Sequence, residues 1–576
     1  MSRTVFLAFG VLFWLSYVVP AAHCDDPPSP HWETLFPSGA RQGSTCILTI
    51  VGGHFDSWPV ATWTDGPDLS LRALEGQDKK QDNDPSETEP ETTKQPEVRQ
   101  LEITVQPDAR PGVRWLRLHD DSGVTSLRPF IVGTLPEVQE QEPNDSIAEP
   151  QKLDTSTVVV NGRLEKKADT DTFAIQLQRG QTLVAHLVAN EILRSPMDGI
   201  LQVSSTDGAI LGQNHDSRGA DPRLVFTAPS TDTFIVQCFA FPERASWNIA
   251  FDGGENYVYR LTLTTQGFVD HLYPPICDAS QPTQVEPVGW NIPAGARRLQ
   301  TAQLSPLEAD EIFHSDLGNT ALLRWVSFPV FVEPQDSQGR QPLICQPPCW
   351  VSGVIAEPEE TDVYEFDLEK GKTVSFRVDA RDAGSPLDAV LTFHDANGKQ
   401  MERNDDVKQS RDSALAYGIK EEGRYRLEIF DLHRRGGKRY VYTIKASQGD
   451  PDFELTLGEK LFTIQAGGTI EIPVEVKRID GFDGVIEVTA TSLPPGVTAT
   501  TALSEGKGDS AGKVTLKLTA TSEEPRSSGA FRVVGTTTEP RALTREVRSE
   551  FRRLLPPVPH LWLTVHAEEE KPPASD

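Results

Sequence analysis

Residues 142–146 read Glu-Pro-Asn-Asp-Ser and are followed by Asn161-Gly162, Asp169-Thr-Asp-Thr-Phe173 and Arg179-Gly-Gln-Thr-Leu183. The same order returns as Glu-Pro-Gln-Asp-Ser at 333–337, Ser352-Gly353, Glu360-Thr-Asp-Val-Tyr364 and Lys370-Gly-Lys-Thr-Val374. Taking 142 from 333, 162 from 353, 171 from 362 or 180 from 371 leaves 191 each time, and the drift is only to 190 for Asp198 against Asp388. A spacing held across turns, glycines and aromatic positions marks a duplicated module, here 136–266 and 330–447. Inside each copy the apolar residues alternate: Phe173, Ile175 and Leu177, then Phe234, Val236 and Cys238; in the second, Val374, Phe376 and Val378, then Tyr425, Leu427 and Ile429. Period two places such residues on one face of a strand, and Asp207-Gly208 and Asn397-Gly398 supply hairpin turns at matching places. The fold class predicted is all-β, as tandem β-sandwich or jelly-roll-like domains built from antiparallel strands.

Working outward, residues 25–135 read as an immunoglobulin-like β domain with strands near Thr45 to Val51, Leu101 to Val105 and Val113 to His119. An acidic segment, 75–97, interrupts it. That segment has almost no large apolar side chain to offset its ordering entropy, so it is expected to be a disordered insertion. Residues 267–329 form a shorter immunoglobulin-like segment in which Gly289-Trp-Asn291 echoes Gly53-His-Phe55. Residues 448–566, with Ile470, Ile472, Val474 and Val476 in alternation, make a further sandwich, and 567–576 a charged disordered tail.

The chain's 576 residues suit several domains rather than one core, and 43 Gly with 44 Pro favour short strands and turns. With 55 basic against 84 acidic residues the net charge is −29, which argues against nucleic acid and anionic lipid as partners and favours divalent cations. At the start, Arg3 precedes an apolar run from Val5 to Val19, then Pro20 and small residues up to Cys24. This is the profile of a secretory signal spanning 1–24, with a retained anchor or a lipidated Cys24 as alternatives. Export to the periplasm, cell surface or medium follows, with no membrane span in the mature chain. Cys345 and Cys349, flanking Gln-Pro-Pro, are read either as a local disulfide or as two half-buried thiols.

Glu142-Pro-Asn-Asp145, Asn161-Gly162, Asp169-x-Asp171-x-Phe173 and a closing strand near Thr264 resemble the bacterial pre-peptidase C-terminal domain, a sandwich related to the collagen-binding domains of secreted collagenases. Alternation with immunoglobulin-like segments is similar to large secreted bacterial proteins. The resemblance implies that the acidic lead-in chelates calcium, with Glu140, Glu142, Asn144 and Asp145 matching its E-x-E-x-N-D arrangement and Asp169 and Asp171 completing the shell from the next strand. Independently of the family, i, i+2 and i+4 on an extended chain share a face, and calcium takes six to eight oxygens. The plain alternative is a solvated acidic linker. Carried at 191, Glu140 falls on Phe331, Glu142 on Glu333, Asn144 on Gln335, Asp145 on Asp336, Asp169 on Glu360 and Asp171 on Asp362, so the second copy is expected to bind the ion weakly.

No catalytic set stands out. Gly508-Asp-Ser-Ala-Gly512 and Ala21-Ala-His23-Cys24 look like fragments of a serine protease, but they lie at opposite ends of the chain, and a nucleophile needs its base within hydrogen-bond reach. The functional expectation is a noncatalytic exported binding or scaffold protein engaging an extracellular protein or polysaccharide. Two alternatives stand beside it: a secreted, peptidase-like hydrolase with a dispersed site, and a carbohydrate-binding array using Trp58, Trp63, Trp115, Trp247 and Trp290 as stacking platforms.

Overall fold

The computed structural model describes residues 30–55, 58–75, 97–243, 250–280, 282–301, 309–334, 341–381, 384–407, 412–522, 527–547 and 561–567. The leader with Cys24, the interior of the acidic insertion, Trp247 and the tail beyond 567 lie outside the described residues. The described chain is built from β-strands paired into twofold-layered sheets, with no α-helix.

The alternating runs become strands that share one core. Phe173, Ile175 and Leu177 lie on Asp171–Leu177 and pack against Phe234, Val236 and Cys238 of Asp232–Pro242. Each fully buried side chain of this size contributes roughly 2 kcal/mol, so the pattern itself drives the two layers together. One sheet orders Glu137–Gln139, Val158–Arg163, Val258–Thr264, Thr182–Val188 and Arg223–Thr227. The facing sheet orders Gln151–Lys152, Asp171–Leu177, Asp232–Pro242, Met197–Ser205 and Ile210–Asn214.

The second repeat has the same order: Val330–Val332, Cys349–Val354, Val441–Gln448, Thr373–Asp379 and Ala414–Gly418 face Leu343–Cys345, Asp362–Leu368, Gly423–Asp431, Ala389–His394 and Gln400–Asn404. The expectation of purely antiparallel sheets needs one correction. In both repeats the first strand of each sheet pairs parallel to its neighbour, because the chain crosses between layers before it returns. Cys345 and Cys349 sit on opposite layers as buried free thiols.

Three further sheet pairs flank the repeats. Four-stranded sheets centred on Thr45–Gly53 and Gly112–Asp120 enclose a core from Trp32 to Val132. Two three-stranded sheets hold the small core around Leu272, Leu323 and Trp325. The last pair, centred on Thr469–Ile479 and Ser527–Thr537, buries Ile472, Val474 and Val476.

Charged and aromatic ties join these units. Asp270 of the small unit accepts hydrogen bonds from Arg223 of the first repeat and, at 3.0 Å, from Arg439 of the second. Arg324 pairs with Asp379. Trp562 of the last strand is buried against Trp63, with ring centroids 6.2 Å apart, and lies under the Arg117 guanidinium.

Candidate metal site

The lead-in strand Glu137–Gln139 lies parallel beside Val158–Arg163, and the chain beyond it carries its carboxylates towards the turn that precedes Asp171–Leu177. There the side chains of Glu142, Asp145 and Asp169 converge, with one ligand atom from each within 4.8 Å of the others. Oxygens on opposite sides of a calcium ion stand about that far apart, since each metal–oxygen distance is roughly 2.4 Å. Asp169 is fully buried, and its Oδ2 accepts the Glu165 amide at 2.5 Å while its Oδ1 has no hydrogen-bond partner. Burial, followed by a hydrogen bond with Asp145, pushes the Asp169 carboxyl up to about 6.

Asn144 is also fully buried, and neither its Oδ1 nor its Nδ2 has a partner. A buried amide left unpaired costs on the order of 1–3 kcal/mol, so a ligand for Oδ1 would relieve a real penalty. The backbone N–H of Asn144 donates to Glu142 Oε2 at 3.0 Å, which folds the segment back on itself. Lys166, exposed, places Nζ 3.0 Å from Asp145 Oδ2 and 3.8 Å from Asp169 Oδ1, and is the cation that faces these carboxylates.

Glu140 and Asp171, the other two residues of the sequence-derived set, belong to an adjoining cluster. The Tyr259 hydroxyl joins them, donating to Asp171 Oδ2 at 2.5 Å and lying 3.1 Å from Glu140 Oε2. Glu140 Oε1 accepts the Arg163 amide at 2.7 Å. Burial pushes Asp171 well above the usual carboxylate range and Glu140 up to about 7. Their geometry pins the lead-in strand to the sandwich.

The second repeat corrects the correspondence read at 191. Gln139 pairs with Asn161 and Val332 with Ser352; Glu140 N donates to Asn161 O at 3.0 Å, and Glu333 N to Ser352 O at 2.9 Å. Glu333 Oε2 accepts the Val354 amide, as Glu140 Oε1 accepts that of Arg163. Glu333 is therefore the counterpart of Glu140, not of Glu142, because the lead-in of the second repeat is two residues shorter before its Glu-Pro. Its pin is completed by Tyr442, which donates to Asp362 Oδ2 at 2.6 Å, and by Tyr364, whose hydroxyl lies 2.5 Å from that of Tyr442. Continuing that register, the positions of Glu142, Asn144 and Asp145 fall on Gln335, Ser337 and Gln338, outside the described residues.

Tyr259 and Tyr442 carry no signal that singles them out in sequence beyond a shared Tyr-Val-Tyr, at 257–259 and 440–442, where each closing strand starts. The protease-like fragment resolves into a turn: Ser510 Oγ accepts the Glu505 amide at 3.0 Å. Trp115 is buried, Trp58 donates to Leu74 O, Trp63 packs on Trp562, and Trp290 lies beneath Arg223.

An all-β chain of repeated sandwiches with an acidic lead-in is the class these observations define. No family model matches the chain. It is 25% identical over 234 residues to a probable subtilase-type serine protease of Deinococcus radiodurans, covering 40% of this chain and 26% of that protein. The chain thus spans about a quarter of the length of that relative. Among solved structures it is similar to the pre-peptidase C-terminal domain of a collagenase from Bacillus anthracis, at 14% identity and a TM-score of 0.16 over 19% of this chain and all of that domain. It is also similar to the M60 catalytic domain with two CBM51 domains from Clostridium perfringens, at 9% identity and a TM-score of 0.14 over 70% of this chain and 55% of that one. No helix among the described residues is long and apolar enough to cross a membrane.

Proposed function

We propose that this is an exported, noncatalytic binding or scaffold protein whose first repeat is a pre-peptidase C-terminal-type sandwich stiffened by calcium, and which engages an extracellular protein or polysaccharide. The observation that carries the reading is the convergence of Glu142, Asp145 and Asp169, the first two on the same short segment as the buried, unpartnered Asn144 side chain. Hard oxygen donors of this kind suit calcium, and closing them around an ion would fix the path by which the chain enters the sandwich. Glu140 and Asp171 support the site from behind by pinning the strand that leads to it.

The experiment is a pull-down on collagen, polysaccharides and secreted-protein extracts, with calcium and with chelator, using the full chain and Glu142→Gln/Asp145→Asn. Calcium-dependent capture lost in the double variant supports the reading; capture indifferent to both overturns the calcium part. A second reading, a peptidase-like hydrolase, draws on the stretch shared with the subtilase-type relative. Turnover by the purified chain on a broad peptide and glycoside panel would establish it.

A further inference from the structure

Where the first unit, the first repeat and the small unit meet, they enclose a cavity of about 210 Å³. His186 and Val188, Arg223, and Arg260 and Thr262 line it from one sheet of the first repeat, and Phe268, Phe313 and Leu322 give it apolar walls. Most of its charged groups are consumed by their neighbours. Arg260 makes two bonds to Glu137, at 2.9 and 2.8 Å, and one to Asn161. Asp221 accepts the amides of Ala189, Asn190 and Glu191. Glu311 accepts the Val113 amide and the Thr320 hydroxyl. Arg223 is spent on Asp270 and stacks over Phe268, its guanidinium carbon 4.8 Å from the ring centroid.

Arg218 is the exception. It lines the same cavity, and among the described residues its guanidinium makes no hydrogen bond and has no carboxylate within ion-pair distance. Its backbone is held in place by reciprocal hydrogen bonds with Asp221, at 3.2 and 3.3 Å. Asp270, the carboxylate whose field it feels most, ahead of Asp221 and Glu191, is already shared by Arg223, Arg439 and His271. His186 lies beside it with a buried, unpartnered Nδ1, and its ring meets Phe268 edge-on at 5.5 Å. A planar guanidinium left without a hydrogen bond or ion pair in a recess with apolar walls can receive a carboxylate carried on a short apolar group.

We propose that this cavity binds such a carboxylate, with Arg218 as the bidentate partner and the Phe268, Phe313 and Leu322 walls receiving the apolar body. The carboxylate can come from a free short-chain acid or from the C-terminus of a peptide, and the probes separate the two. The site is independent of the calcium cluster, so either can fail without the other.

The test is calorimetric titration of the full chain with hexanoate and hexanamide, and with N-acetyl-Ala-Leu as free acid and as amide. Binding of at least one acid, with its amide about tenfold or more weaker, is expected, since charge-assisted hydrogen bonds are lost in the amide. Hexanoate alone points to a free acid and the dipeptide acid to a chain terminus. Arg218→Gln should weaken binding by a similar factor. Leu322→Trp, which enlarges a side chain lining the recess, should abolish it and serves if the first variant does not fold. Equal binding of acid and amide, retention of binding in both variants, or no heat with any probe at millimolar concentration overturns the proposal.

Discussion

The two repeats share ten strands in one order and the same pin on the lead-in strand, and among the described residues a carboxylate cluster stands beside the pin in the first alone. Glu140, Asp171 and Tyr259 in one match Glu333, Asp362 and Tyr442 in the other. Phe173 becomes Tyr364, which adds a hydroxyl to the second pin. What both copies keep is therefore what the sandwich needs to hold its first strand. What the described residues show in the first alone, Glu142, Asp145 and Asp169 brought together, is not needed for that pin.

The sharpest way to break the claim of a common pin is to occupy the space it needs. A Cβ at Gly162 would meet the Tyr259 hydroxyl at 2.2 Å and Glu140 Oε2 at 2.5 Å; at Gly353 it would meet the Tyr442 hydroxyl at 2.4 Å. Gly162→Val and Gly353→Val should each cost about 3 kcal/mol in urea unfolding, as overpacking of a buried polar cluster does. A loss at one site only would mean that the two pins are not equivalent.

Calcium should then separate the repeats. At roughly 100-fold excess over its Kd it should stabilise the first by about 2.7 kcal/mol by mass action. Hydrogen exchange on the full chain should slow in 137–163 and stay unchanged in 330–354. Glu142→Gln/Asp145→Asn should remove the effect. Equal slowing in both repeats would point to screening of a −29 chain rather than to a site.

The repeats are also tied through Asp270, whose acidity follows from its surroundings. Burial opposes its ionisation, but the His271 hydrogen bond and the Arg223 and Arg439 guanidiniums override burial and hold the carboxyl well below its usual range. A depressed folded-state value contributes stability that is present above the unfolded value, roughly 3.9, and lost as pH falls below it. Scanning calorimetry should show the repeats melting together at pH 6 and parting below about pH 4. Asp270→Asn should part them at both.

How much of this was legible differs by level. Alternation at Phe173, Ile175 and Leu177 or at Val374, Phe376 and Val378 reported burial on one face directly, so strands and layers could be read. The repeat was legible because turns and glycines recur at fixed spacing. The pairing of the two lead-ins was not, because the shared Glu-Pro dipeptide lines up in sequence while backbone pairing to Asn161 and Ser352 sets the register in space. For Glu140 and Asp171, acidity looks the same in sequence whether an oxygen faces an ion or a tyrosine more than eighty residues away. Only the fold brings Tyr259 to them, and the cavity around Arg218 likewise arises from three segments that no local pattern connects.

The smallest expected effect tests whether the acidic cluster is already satisfied without a metal. Lys166 Nζ sits 3.0 Å from Asp145 and 3.8 Å from Asp169, where a divalent ion would also be drawn. Being exposed and flexible, it adds little to stability, so Lys166→Gln should leave melting in chelator unchanged. Its charge nevertheless opposes the incoming cation, and removing it should tighten calcium binding by about threefold at low salt, with the gain shrinking as salt rises. A variant that melts earlier in chelator and gains no calcium affinity would make Lys166 the cluster's own counterion, and the asymmetry between the repeats would then be one of surface charge alone.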